Sequence, residues 1–497
     1  MANMLYDRLF ARLCARDGPL LQLADGTSLS GVRFHDLLVR AANALTAAGV
    51  VKGDRVAVQV AKTPEALAIY GATVALGAVF LPLNTAYTPS ETGYFLGDAT
   101  PRLFLCDPAT VSALAQVAAG WGVALMTLDA AGRGSFATAM AAPGKAFAPA
   151  DCGNDDLAAV LYTSGTTGRS KGAMLSHGNL LSNAEVLADL WRFTPGDVLL
   201  HALPIFHTHG LFVASNVALL SGGQMIFLPG FAVETALRLL PLATVMMGVP
   251  TFYTRLLGEA RFDRALTAGM RLFISGSAPL LAETHREFEA RTGHRIVERY
   301  GMTETSMNTS NPYDGERRAG TVGRALPGVE VRIAAAPGEV GGIAVRGPNV
   351  FQGYWRMPEK TAEELRPDGW FVTGDLGVLD AEGYLTIVGR ARDLIITGGY
   401  NVYPKEVELL LDAVPGVVES AVIGLPHPDL GEAVFAVLVG EVTPEGALAE
   451  IAGDLARFKQ PRAAVVVADL PRNAMGKVQK AVLRQTFSDW FAARKGG

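Results

Sequence analysis

Short runs of aliphatic and β-branched residues alternate with helical patterns through the first half of the chain. Arg55 to Val60 reads as a strand, and Thr63-Pro64 then reads as an N-cap with proline at the first helical position, opening a helix to about Leu76. Ala78–Leu83, Leu157–Tyr162, Met225–Leu228, Thr244–Val249 and Arg271–Ser275 repeat the strand pattern, with helix-like stretches between several of them. Strands separated by helices imply crossover connections and therefore largely parallel sheets. At 497 residues the chain is too long for one compact core, so at least two domains are expected.

From Val329 the texture changes. Val329–Ile333 and Gly342–Gly347 are short glycine-flanked strand candidates with no helix between them, the pattern of a small β subdomain. After Gly389-Arg390 the α/β alternation resumes on a smaller scale: helix at Lys405–Asp412, strands at Val417–Ile423 and Ala433–Leu438, helix at Leu448–Phe458, strand at Ala463–Val467. The expectation is an α/β protein with a large N-terminal domain of mostly parallel sheets (1–390) and a smaller, mobile α+β C-terminal domain (391–497). The formal charge is -5, from 43 basic and 48 acidic side chains, which gives no basic face for a nucleic-acid partner. The apolar run Gly71–Leu83 is too short to span a bilayer, and Asp7, Arg8 and Arg12 interrupt the N-terminus where a secretory segment would be apolar. Cys14, Cys106 and Cys152 are too scattered for a disulfide framework or a metal site, so a cytoplasmic setting is expected.

Chemistry concentrates at Tyr162-Thr163-Ser164-Gly165-Thr166-Thr167-Gly168-Arg169-Ser170-Lys171-Gly172. This stretch holds five Ser/Thr hydroxyls, three glycines and two cations at the end of a predicted strand. Glycines let backbone N–H groups approach a phosphate, hydroxyls donate hydrogen bonds, and Lys171 adds charge. The loop is expected between a strand and a helix. It lacks the Gly-Lys-Ser/Thr ending of a Walker loop, which disfavours that class of nucleotide hydrolase.

Together with Arg299-Tyr300-Gly301-Met302-Thr303-Glu304-Thr305, Phe371-Val372-Thr373-Gly374-Asp375, Gly389-Arg390 and Pro471-Arg472-Asn473-Ala474-Met475-Gly476-Lys477, this loop resembles the adenylate-forming superfamily of acyl-CoA synthetases, luciferases and peptide-synthetase adenylation domains. The resemblance covers almost the whole chain in order. It implies ATP, Mg²⁺ and coenzyme A as reactants, with an acyl-adenylate formed first and a thioester second. By that resemblance, Thr163–Gly168 and Lys171 cradle the phosphates. Gly276, Ser277, Ala278, Glu298, Tyr300, Gly301 and Met302 line the nucleotide, and Thr303 donates to the α-phosphate. Glu304 is a Mg²⁺ ligand, with Thr167 beside it. Asp375 and Arg390 meet the ribose, Arg392 is the hinge, and Gly398-Gly399 lines the face where the thiol enters. Lys477 is the catalytic lysine; on its chemistry alone it reads as a solvated lysine beside Lys480.

Two residues bear on the acid. His207, in Ile205-Phe206-His207-Thr208-His209-Gly210, either flanks the acyl carboxylate or is a core histidine bonded to backbone; both readings stand. Arg299 either pairs with a local acid such as Glu298 or meets the far carboxylate of a diacid, since a buried anion needs a cation. The stretches around Arg299, Ile205–Gly210, Phe273–Leu280 and Met307–Tyr313 resemble malonyl-CoA synthetases, which implies malonate as substrate, with Arg299, His207 and Ser277 as its contacts. Methylmalonate or another short acid remains open, because one methyl group is worth only about 1–3 kcal/mol of discrimination. A module that loads a carrier protein is a second alternative, and a non-catalytic nucleotide-binding or scaffold protein a third, against which the phosphate loop, Glu304 and Lys477 argue.

Overall fold

The computed structural model describes residues 3–142, 147–163, 170–398, 400–428, 430–473 and 476–491. The chain divides into two compact units, Met1–Val331 with Val345–Phe371, and Arg332–Ala344 with Val372–Gly497.

The first unit carries two mixed sheets, mainly parallel. In the larger, the strands Val297–Met302, Leu272–Ser275, Val245–Gly248, Val198–His201, Gln224–Phe227 and Pro19–Gln22 lie side by side in parallel. Antiparallel strands close both edges. The second sheet runs Ala124–Thr127, Leu103–Cys106, Arg55–Gln59, Val79–Pro82, Leu157–Thr163 and Lys171–Ser176, antiparallel only at its last pair. The expected α/β architecture is therefore present. Burial on both faces explains the unbroken apolar runs: every residue of Val79–Pro82, Leu103–Cys106, Val245–Gly248 and Leu272–Ser275 is buried.

Local signals place several elements as expected. Thr63 Oγ1 accepts from the Ala66 N–H at 3.2 Å and Pro64 opens the helix Pro64–Ala75. Two expectations are corrected. The loop after Thr163 leads into a strand, Lys171–Ser176, and only then into the helix His177–Leu190, which Ser176 and Asn179 cap reciprocally. That strand pairs antiparallel with Leu157–Thr163. The helix expected over Leu448–Phe458 is Pro444–Ile451 instead, started by Thr443, whose side chain accepts from the Gly446 N–H.

The second unit takes Arg332–Ala344, which includes most of the strand Gly341–Arg346, and everything from Val372. Its hairpin Phe371–Leu379 / Leu385–Arg390 sets Asp375 opposite Arg390. Its other sheet centres on the long antiparallel pair Val417–His427 and Gly431–Gly440, flanked by Ala463–Val466. The helices Pro404–Leu411 and Pro444–Ile451 supply Val407, Leu411, Ala447 and Ile451 to a core shared with that sheet. Among the described residues no helix is long and apolar enough to cross a membrane, and Cys14, Cys106 and Cys152 are free thiols.

Candidate active site

The parallel strands of the larger sheet end together, and their C-terminal ends open into the segments that sequence analysis singles out. Loops at the carboxyl ends of such strands are where α/β proteins bind ligands. Leu272–Ser275 runs into Gly276, Ser277 and Ala278. Val198–His201 runs into the Leu203–His209 segment, and Val297–Met302 carries Glu298, Arg299, Tyr300, Gly301 and Met302.

Alternation along Val297–Met302 separates neighbours. Glu298 lies 3.1 Å from His285 Nδ1 and accepts from the Gly320 N–H at 3.4 Å; burial raises its pKa. Arg299 points elsewhere, so no ion pair joins it to Glu298. The residue is 4% exposed, and its Nε and Nη2 have no hydrogen-bond partner among the described residues. Desolvation pulls its pKa down to about 9, opposed in part by the Tyr253 phenol. At neutral pH it is still a cation, held in the interior without a carboxylate partner among the described residues.

Around it lie further buried polar groups. Gly276 sits under the guanidinium: a Cβ there would fall 2.4 Å from Arg299 Cζ. Ser277 has φ +72, a left-handed conformation that costs a serine about 1–3 kcal/mol and recurs at functional sites. Its Oγ is 3.2 Å from His209 Nδ1. His209 Nε2, Thr208 Oγ1 and Ser275 Oγ are buried without partners among the described residues. Burial first, then the charges of Arg299, His207 and His201, hold the His209 pKa well below that of a free imidazole. His207 is half-buried and its Nδ1 accepts from the His209 N–H at 3.4 Å. Sequence reasoning passed over His209; its signal was the second histidine of His-Thr-His-Gly.

The phosphate-loop residues Ser164, Gly165, Thr166, Thr167 and Gly168 lie outside the described residues, as does Gly399. The flanks are described. Thr163 pairs in register with Lys171, and Lys171 Nζ stands 3.1 Å from Glu364 Oε1 and 4.1 Å from the centroid of the Tyr354 ring. The Tyr354 hydroxyl lies 3.0 Å from Glu304 Oε1 and 2.5 Å from Glu364 Oε2. Burial raises the Glu304 pKa. At Glu364 burial acts in the same direction, but hydrogen bonds from Tyr354, Lys360 and Lys171 outweigh it and hold the carboxyl down. Tyr354 and Glu364 had no sequence signal, because the partners they join are distant along the chain. Glu304 is a hard oxygen donor suited to Mg²⁺. That ion commonly uses one or two carboxylates with phosphate oxygens and water, so the absence of any three-ligand His/Cys/Asp/Glu cluster among the described residues is compatible with it.

Thr303 lies in the turn between Val297–Met302 and Ser306–Ser310. A side chain on Gly301 would meet Ser306 O at 1.8 Å, so this hairpin requires glycine there. Tyr300 is half-buried. In the second unit Arg390 Nε stands 3.0 Å from Asp375 Oδ1. Arg392 lies in the single turn Ala391–Asp393, and Gly398 has φ +55. Lys477 is exposed, its N–H donating to Asn473 Oδ1 at 3.0 Å while Arg472 donates to Gly476 O at 2.7 Å.

The AMP-binding enzyme family matches residues 12–355, and the AMP-binding enzyme C-terminal domain matches residues 406–477. The chain belongs to the AMP-binding enzyme family. It is 35% identical over 488 residues to a malonate–CoA ligase of Arabidopsis thaliana, covering 89% of this chain and 79% of that protein. It is 35% identical over 452 residues to a sulfoacetate–CoA ligase of Cupriavidus necator, covering 88% of each. The crystal structure of ATP-bound MatB from Rhodopseudomonas palustris is 56% identical, with a TM-score of 0.96 over 99% of this chain and 100% of that one.

Proposed function

We propose that this protein is an ATP-dependent malonate–CoA ligase. Malonate attacks the α-phosphorus of ATP to give malonyl-adenylate and pyrophosphate; the CoA thiol then attacks the acyl carbon, giving malonyl-CoA and releasing AMP. The observation that carries the acid assignment is Arg299: a buried guanidinium with unused donors and no carboxylate beside it among the described residues. A buried unpaired charge is costly, and a diacid's far carboxylate removes that cost with two parallel hydrogen bonds. The malonate- and sulfoacetate-ligating relatives both act on short acids with a second anionic group, which supports the same reading.

In this reading His207 and Ser277 orient the reacting carboxyl group. The loop Thr163–Gly168 with Lys171 holds the phosphates, with Thr303 donating to the α-phosphoryl group. Glu304 with Thr167 would hold Mg²⁺, which when bound neutralises phosphate charge. Gly276, Ala278, Tyr300, Gly301 and Met302 wall the base, whose flat face suits an aromatic ring. Glu298 is assigned to the same wall, although its His285 contact gives it a supporting place. Asp375 and Arg390 take the ribose, and Gly398-Gly399 the pantetheine arm. Lys477 stabilises charge that develops at phosphorus only in the transition state. We place the domain boundary after Arg390, with Arg392 as hinge, and the reaction in the cytoplasm. Incubation of the protein with ATP, Mg²⁺, malonate and CoA should yield AMP and malonyl-CoA in equal amounts, and omission of malonate should abolish both. AMP release that ignores malonate would refute the assignment.

A further inference from the structure

Lys62 has no place in the account above, yet its ammonium is fully engaged. Nζ lies 2.9 Å from His201 Nδ1, 2.8 Å from His201 O and 2.8 Å from Leu203 O. The Phe227 ring centroid is 4.4 Å away. An ammonium has three N–H groups, and here each has one acceptor.

The far side of His201 fixes the proton assignment. His201 Nε2 is 2.9 Å from Gly210 O, and a carbonyl oxygen can only accept, so Nε2 carries the hydrogen. Nδ1 of the neutral ring is then an acceptor, and Lys62 must donate to it. Three donated bonds require the ammonium form, and burial opposes it by pulling the pKa of this group well below that of a free lysine. A methionine of similar reach would fill the space without desolvating a charge, so what the lysine adds is hydrogen-bond geometry.

That geometry leads to the acyl pocket. His201 and Leu203 begin the segment that ends in the π-helical turn His209–Ser215, a rare form that recurs at functional sites. His201 Nε2 also lies 3.0 Å from Ser215 Oγ, and Ser215 donates to Gly210 O at 2.9 Å. The two arms of the segment touch, since a Cβ on Gly210 would fall 2.0 Å from Pro204 O. Lys62 therefore grips the entry of the segment directly and its exit through His201. Between them stands His209, bonded to Ser277 and close enough to Arg299 to feel its charge.

We propose that Lys62 is a positioning residue of the acyl pocket, acting through His201 to set the turn that presents His209 beside Ser277 and Arg299. The proposal rests on the reading of that pocket as the acid site.

The test measures KM for the acid and for ATP separately in wild type, Lys62→Met and Lys62→Gln, with a thermal melt of each. A folded Lys62→Met should raise the malonate KM by about 10- to 100-fold, the scale of a small misplacement of binding groups. Its ATP KM should stay near the wild-type value, and Lys62→Gln, which keeps two donors, should fall between. Unchanged malonate KM, or malonate and ATP KM rising in proportion, overturns the proposal. If Lys62→Met does not fold, Lys62→Gln is read by the same criteria; if neither folds, Lys62 belongs to the core alone and the proposal fails. A wild type that ignores malonate but activates propionate would refute the malonate assignment, and the Lys62 variants are then judged on propionate.

Discussion

The guanidinium of Arg299 lies so close over Gly276 that a single added methyl group would fall 2.4 Å from its central carbon and 2.5 Å from Nη1. Gly276 is therefore a spacer that lets a buried arginine reach its place. Gly276→Ala should leave the fold intact and push the guanidinium aside. We expect kcat/KM for malonate to fall by about 10- to 100-fold, with little change in melting temperature. Steady-state kinetics and a thermal melt check this; wild-type kinetics would mean that the arginine yields without consequence.

The Tyr354 hydroxyl bridges Glu304 and Glu364. Tyr354→Phe removes that donor and leaves two neighbouring carboxyl groups to repel each other, so it should destabilise the protein by about 1–3 kcal/mol. A denaturant melt measures this. A loss confined to a few tenths of a kcal/mol would show that water substitutes for the hydroxyl.

Asp412 gives a pH signature in the second unit. Burial outweighs the Ser420 hydrogen bond and the Lys405 charge and raises its pKa to about 6. Its unfolded value is about 3.9. A raised carboxyl binds its proton more tightly when folded. Below about pH 4 both states are protonated and stability is undiminished; it declines as pH rises from about 4 to about 6 and is then fully reduced, by on the order of 2–3 kcal/mol. Asp412→Asn keeps an acceptor for Ser420 Oγ, which donates at 2.7 Å. Its advantage over wild type in melting temperature should be near zero at pH 4 and grow to its maximum above pH 6. A difference that does not vary with pH would contradict this.

Lys477→Ala should abolish malonate-dependent exchange of pyrophosphate into ATP while leaving thioester formation from supplied malonyl-adenylate much less affected. That outcome follows from a cation needed where negative charge builds up at phosphorus. Equal loss in both half-reactions would remove the lysine from the first step.

Much of this was legible in the chain. Thr63-Pro64 announced its helix, and the apolar runs Val79–Pro82 and Leu272–Ser275 announced strands buried on both faces. Lys171–Ser176 was not anticipated as a strand, because its partner lies across the loop and nothing local encodes that pairing. The helix at Pro444 was misplaced because leucine and alanine later in the segment outweighed the Thr443-Pro444 start signal. Arg299 was legible as a cation that needed an anion, but whether Glu298 or a substrate supplied it was not. Gly276 and Ser277 follow one strand and His209 another, and only the fold brings both to Arg299. Lys62–His201 and Tyr354–Glu304 are contacts between distant segments, which a single sequence does not encode locally.

The central claim is that Arg299 exists to meet the second carboxylate of malonate. Arg299→Ala, compared with wild type on malonate and on propionate, tests it most directly by CoA-dependent AMP formation, with a thermal melt to establish folding. Loss of the guanidinium leaves malonate's far carboxylate without its partner, a cost of roughly 2–5 kcal/mol. That corresponds to about thirty- to several-thousand-fold in kcat/KM. Propionate has no second charge, so its kcat/KM should fall much less or rise, and Arg299→Lys should restore malonate turnover only in part because an ammonium lacks the two-pronged fork. A folded alanine variant that loses malonate and propionate activity in equal proportion would contradict the claim and make Arg299 a structural residue.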